Sequence, residues 1–342
     1  MNQIKATLKK YAKRYGIDAM GAMAQGLFAS LLIGTIIKTL GQQLDVDFLT
    51  SIGGDYASAM AGPAMACAIG YALHADPLVL FSLITVGFAA NKLGGAGGPL
   101  AVYLISIIAS ELGQRVSRKT KVDILVTPAV TILAGVGVSM LIAPTIGSAA
   151  NAVGDVIKWA TNQQPFLMGI LVSVVVGMSL TLPISSAAIC AALSLTGLAG
   201  GAAVAGCCAQ MVGFAAMSFR ENGLGGLISQ GLGTSMLQMP NIIRNPRIWL
   251  PPILASAITG PLATCLFHLE MNGPAVSSGM GTCGLVGQIG VITGWSETGY
   301  SVGMMDWLGL LLICFVLPAV LSMVFCQLFR RMGWIRDGDM KL

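Results

Sequence analysis

Residues 219–252, FRENGLGGLISQGLGTSMLQMPNIIRNPRIWLPP, gather Arg220, Glu221, Asn222, Gln230, Gln238, Asn241, Arg244, Asn245 and Arg247 between two segments apolar enough to cross a bilayer. A carboxylate beside carboxamides supplies acceptors and donors suited to sugar hydroxyls, and Glu221, Asn222, Gln230 and Asn241 form the core of that set. An ionised side chain at membrane depth costs about 2.5–3.5 kcal/mol even on a lenient scale, so Glu221 and Arg220 are expected to face protein or a water-filled cavity. The bland alternative is a solvated loop with both charges at the interface.

A second feature echoes part of this stretch. GLGTSMLQMPNI (residues 231–242) and GMGTCGLVGQI (residues 279–289) share G-x-G-T followed by a small residue. Each suits the tip of a re-entrant hairpin, where glycines let main-chain amides and carbonyls face a ligand. Thr234, Thr282 and Gln288 therefore join the candidate solute contacts, although glycine-rich segments also resemble one another by chance.

Other polar residues have weaker readings. Asn91 is a possible solute contact beside Lys92, whose long side chain suits snorkelling. His268 and Glu270 end an apolar span and fit either an interface or a ligand, and His74 fits a turn. Ser185 and Ser186 follow Pro183 and are expected to bond the carbonyls that the proline frees. The eight cysteines lie in or beside apolar segments without zinc-type spacing and suit buried, reduced thiols. No phosphate loop, metal motif or nucleophile elbow is present, so neither a cofactor nor an autonomous catalytic site is expected.

The elements that must carry these residues follow from composition. The 342-residue chain is 55% hydrophobic and only 10% charged, against about 25% charged in a soluble domain. It is an all-α polytopic membrane protein by that measure. Its 44 glycines suit close-packed or broken transmembrane helices. The net charge of +5 needs no nucleic-acid partner, because Lys and Arg collect on cytoplasmic loops.

In chain order, residues 1–16 form a basic amphipathic helix on the inner leaflet. Residues 17–40 are too long an apolar run for a signal-peptide core and remain as a span. A second span covers 55–73. Residues 77–113 hold two apolar pieces of about 14 residues each around NKLGGAGGP, a broken or re-entrant hairpin. Residues 122–146 cross outward, and 147–165 form an interfacial helix anchored by Trp159. Residues 166–218 allow two or three crossings, three being favoured because they place Arg220, Arg244 and Arg247 inside. Residues 250–269 and 307–329 complete a count near ten, with both termini cytoplasmic.

PNIIRNPRIWLPPIL (residues 240–254) resembles the P-x-x-x-x-N-P-x-x-x-x-P-x-I-L pattern of the sugar-permease components, enzyme IIC, of the bacterial phosphotransferase system. FRENG is similar to that family's F-x-x-x-E segment, whose glutamate binds sugar hydroxyls. With NKLGGAGGPLAV, LPISSAAI and GMGTCGLVGQ, nearly the whole chain resembles the perfringolysin regulator-like branch. Glu221, Asn245 and Pro246 match by position. Glu221 precedes Asn245 by 24 residues, a wider gap than usual there, and the FRE order puts Arg220 beside the carboxylate.

The resemblance implies a homodimer in the bacterial inner membrane, with residues 17–165 as scaffold and interface and 166–342 as a transport domain. It further implies two re-entrant hairpins and an elevator-like movement of bound sugar. The system's relay carries phosphate on His and Cys or His of soluble domains, and the soluble segments 1–16, 114–121 and 330–342 contain neither residue. Separate IIA and IIB phosphocarriers would have to supply it. The alternatives are a phosphotransferase-independent or ion-coupled transporter, using Glu221 or Glu297, and a membrane sensor acting on gene expression through the basic N-terminal helix.

Overall fold

The computed structural model describes residues 10–342, and the described chain is helical, without strands beyond one isolated bridge between Gly197 and Met271. The part of the expected N-terminal amphipathic helix in residues 1–9 lies outside the described residues. Among the described residues, six helical stretches, Pro77–Val116 taken as one, are long and apolar enough to cross a membrane by length and composition, and Pro165–Thr181 is a shorter apolar helix. The chain divides into two compact units, the second beginning at Ala150.

In the first unit, α1 (Lys10–Gln43) is continuous, so residues 10–16 extend the first span rather than forming a separate surface helix. Arg14 ties this end down through an ion pair to Glu111 at 2.8 Å and a bond to the Leu73 carbonyl at 3.2 Å. α2 (Ala61–Ala72) packs against α1 where Gly26 meets the backbone of Ala64 and Met65. α3 (Pro77–Gly94) and α4 (Gly98–Val116) are the two arms around NKLGGAGGP. They run 18 and 19 residues rather than the shorter pieces expected, because the helices continue through Asn91 and Lys92 on one side and from Gly98 on the other. The reversal falls at Gly95, whose φ of +51° favours a residue without a Cβ.

α5 (Asp123–Thr161) is one 39-residue helix containing Pro128 and Pro144. The separate interfacial helix expected from residue 147 is thus its continuation. The boundary between the units falls within it.

The second unit is built around α8 (Gly197–Met217), most of which is buried. α6 (Pro165–Thr181) approaches α8 at backbone range, Gly177 meeting Gly206, while Gly169 meets Gly260 and Pro261 of α11 (Pro246–Leu266). Small residues permit this contact, and polar ones fasten it in a setting where apolar burial gives helices little reason to associate. Ser173 Oγ, for instance, donates to the Ser256 carbonyl at 2.8 Å.

Between α6 and α8 the sequence allowed a third crossing. α6 and α8 both run antiparallel to α11, Pro165 meeting Thr264 and Ser173 meeting Ser256 in one pair, Gly206 meeting Ser256 and Gly213 meeting Pro252 in the other. Residues 182–196 therefore carry the chain back between them through the seven-residue α7 (Ser186–Ala192) and irregular flanks rather than a full helix. The serines after Pro183 also act differently from expectation. Ser185 caps α7 by accepting from the Ala188 amide at 3.2 Å, and Ser186 Oγ donates to the Gly279 carbonyl at 2.7 Å.

Two polar insertions complete the unit. The first descends through α9 (Phe219–Ile228), turns at Thr234 and returns through α10 (Met239–Arg244). The second passes through a tight turn at residues 280–285 and returns as α12 (Val286–Glu297). The last long helix, α13 (Met304–Arg331), ends where Gly333 takes φ +71° and the Trp334 amide reaches back to the Phe329 carbonyl at 2.9 Å. This left-handed glycine stop turns the chain beneath the unit. There Ile335 and Met340 join Phe214, Met217, Ile242, Ile248 and Phe329 in one apolar cluster.

Candidate functional site

Gly223, at φ +60°, kinks α9 so that Glu221 and Asn222 turn toward the folded tail. Glu221 Oε1 accepts from Arg330 Nη2 at 2.7 Å, and its Oε2 accepts from the Met340 amide at 2.9 Å. Asn222 reads the same segment in both senses, donating to the Met340 carbonyl at 2.8 Å and accepting from the Leu342 amide at 2.9 Å. The sequence placed Arg220 beside the carboxylate. Here Arg220 is exposed, and the guanidinium paired with Glu221 is Arg330 of α13; both arginines line a cavity of about 160 Å³.

The returning arm grips the tail in the same way. Gln238 donates to the Met340 carbonyl at 2.8 Å, Asn241 to the Lys341 carbonyl at 3.0 Å, and Asn245 to the Trp334 carbonyl at 3.0 Å and Asp339 at 2.8 Å. Gln230 links the arms, since its Oε1 accepts from Gln238 at 2.9 Å while its Nε2 donates to Ser218 at 2.9 Å. Five candidates, Glu221, Asn222, Gln230, Asn241 and Asn245, therefore belong to one hydrogen-bonded set organised on the backbone of residues 334–342.

Thr234 lies at the other end of the hairpin, buried, with its hydroxyl capping the returning arm at the Met236 amide, 3.2 Å. The two G-x-G-T segments meet here. Thr282 Oγ1 donates to the Gly231 carbonyl and approaches Met211 Sδ of α8 at 3.6 Å. Gly281, at φ +52°, lies so close to Cys207 and Cys208 that a Cβ would collide with them. Gln288 is buried next to α8, donating to Cys208 Sγ at 3.2 Å. Asn91 lies in the first unit and is not part of this set.

Beside the tips is a cluster that the sequence reading missed. Gln210 Oε1 accepts from Trp249 Nε1 at 2.8 Å and from Thr181 at 3.2 Å, and Thr181 shares a 2.8 Å bond with Ser235. Two buried amide atoms of the second unit have no hydrogen-bond partner, Gln210 Nε2 in this cluster and Gln288 Oε1 past the second tip. Turning the Gln288 amide over would exchange the orphan acceptor for an orphan donor, because Cys208 can pair with either atom. Leaving such a group unpaired costs about 1–3 kcal/mol, and a bound polar solute would remove that cost. Gln210 had a visible signal, since it is the one carboxamide in the small, apolar run GLAGGAAVAGCCAQMVGFAAM. Arg330 and Met340 had none, because their role depends on a fold-back about 110 residues away in sequence.

A helical membrane unit with two hairpins whose glycine tips meet against a central helix has the architecture of a carrier. Residues 17–342 match the family described as phosphotransferase system, EIIC. The chain belongs to that family, and it is an integral membrane permease component of a phosphotransferase system with a sugar-type substrate. No curated protein and no solved structure matches the chain.

Proposed function

We propose that this protein carries a small polar solute, a sugar, between the hairpin tips and the Glu221 end of the second unit, and that separate IIA and IIB subunits phosphorylate it there. The observation that carries the reading is an unpaired amide atom beside each tip, on Gln210 next to the first and on Gln288 just past the second. A polyol hydroxyl both donates and accepts, so it can pair with either atom. The Glu221 set is the second station. Its occupant is at present the peptide backbone of Met340, which offers the same alternation of donor and acceptor that a sugar would.

Orientation in this reading follows charge. Arg220, Arg244, Arg247, Arg330, Arg331, Arg336 and Lys341 belong to the segments around the tail, whereas no Lys or Arg occurs between Arg247 and Arg330. The tail end is then cytoplasmic, where a phosphocarrier would meet its cargo. We further propose a homodimer through residues 17–165 and elevator-like movement of the second unit, both on family grounds. Pairing of Glu221 with Arg330 supports phosphorylation coupling over proton coupling through that carboxylate.

Inverted vesicles supplied with phosphoenolpyruvate, the general phosphotransferase proteins, the cognate IIA and IIB and a panel of labelled sugars provide the test. The expected result is phosphorylation of one sugar class, lost in Gln210→Leu. No product across the panel would overturn phosphorylation coupling, and ion-gradient-driven uptake would replace it with the ion-coupled alternative.

A further inference from the structure

A second cavity of the second unit lies away from both hairpin stations. It has a volume of about 330 Å³ and is lined by His268, Glu270, Asn272, Trp295, Tyr300 and Asp306, with Leu269 and Thr298. Asp306 begins α13 and Arg330 ends it, so the cavity and the Glu221 set are separated by about 36 Å of helix at 1.5 Å per residue.

The wall of this cavity is fixed by the backbone. Phe267 and Leu269 amides bond back to Leu262 and Ala263, and Met271 exchanges two 3.0 Å bonds with Gly197. Leu269 and Met271 are buried in the apolar core, while His268, Glu270 and Asn272 alternate with them and line the cavity. Trp295 is also anchored in that core and meets Trp307 edge to face at 5.4 Å.

Charge here is one-sided. Glu270 accepts from Asn272 Nδ2 at 2.9 Å, and Asp306 accepts from the Gly303 amide at 2.8 Å and Tyr300 OH at 3.3 Å. All these donors are neutral, and among the described residues neither carboxylate has an ion-pair partner. Asp306, and more weakly Glu270, hold the Tyr300 phenol above its ordinary pKa, which places that ring in the field of both carboxylates. The C-terminal end of α12, at Trp295–Glu297, adds partial negative charge.

We propose that this cavity is a binding site for a small amine-bearing solute, its ammonium held between Glu270 and Asp306 and its body against Trp295 and Tyr300. Two uncompensated carboxylates repel anions, and aromatic walls favour a cation over a neutral solute of equal size. A volume of about 330 Å³ admits a hexosamine. Such a site would concentrate cationic solutes at the face opposite the tail, independently of the carrier route proposed above.

Calorimetric titration of the purified full-length protein with D-glucosamine at pH 7 and low salt, with D-glucose and D-glucose 6-phosphate as comparisons, tests this. Glucosamine is expected to saturate one site at least tenfold more tightly than glucose, with no binding of the phosphate ester there. Glu270→Gln and Asp306→Asn, which keep the neutral hydrogen bonds, should each weaken glucosamine at least fivefold, and Glu221→Gln should leave it unchanged. A thermal melt confirms that each variant is folded. Equal binding of glucosamine and glucose, or unchanged affinity in both folded carboxylate variants, would overturn the proposal. Loss of glucosamine binding in Glu221→Gln would also overturn it, by moving the site to the hairpin.

Discussion

Gln288 is the residue at which a structural and a functional role separate most cleanly. Its buried acceptor is unpaired, and its amide holds only Cys208 Sγ, a weak partner. Gln288→Met keeps the volume and removes the orphan atom, so a purely structural residue should tolerate the change, with stability unchanged or raised by about 1 kcal/mol. If Gln288 contacts the solute, sugar phosphorylation should fall at least tenfold while the melting temperature holds or rises. Glu221 behaves in the opposite way. Its side chain is only 9% exposed and is paired with Arg330, whose other terminal nitrogen meets the exposed Asp337, so Glu221→Gln leaves the guanidinium with only that solvent-exposed partner and should cost about 1.5–3 kcal/mol. Thermal unfolding in detergent checks the loss, and Arg330→Met combined with Glu221→Gln should restore part of it.

The hairpins can be tested through paired glycines. Gly281 has positive φ and faces Cys207, so Gly281→Ala should disrupt the second tip and lower stability by about 1–3 kcal/mol. Gly225, inside α9 with nothing near its missing Cβ and no positive φ, should accept alanine with a gain of about 0.5–1 kcal/mol. Thermal unfolding of both variants in one detergent distinguishes a tip that needs glycine from a helix that merely contains it. These elements also show how much was legible. The apolar runs and the breaks at Gly95 and Thr234 follow from local composition, and the G-x-G-T echo marked two turns that meet in space. The division of residues 166–218 was not legible by length. Fifty apolar residues allow two or three passages, and the middle one is a broken return through α7, fixed by a Ser185 cap and a tertiary seat against Gly279. The full length of α5 was hidden likewise, because the more polar residues from 147 onward suggested a boundary that the helix does not observe.

Across the second unit, the principal relation is between the tail and the site it fills. Sequence identified Glu221, Asn222, Asn241 and Asn245 as solute contacts and left residues 330–342 as a basic segment, since nothing local connects Gly333 to a pocket more than 100 residues earlier. The structure joins them through main-chain bonds from Trp334 to Leu342. A tail held this way either braces the hairpin or must yield for the solute to reach Glu221, and a single substitution separates the two. Met340→Pro removes the amide that Glu221 accepts from, while the apolar cluster around Phe214 and Phe329 retains most of its side chains. If the tail competes with solute, the variant should bind sugar severalfold more tightly and admit a thiol reagent to an Asn222→Cys label faster, with sugar slowing that labelling. If the tail is only a brace, the same variant should lose about 1–3 kcal/mol of stability with sugar affinity unchanged or reduced. Equilibrium binding and labelling rates on the same preparation decide between these outcomes, because competition raises affinity and a lost brace cannot.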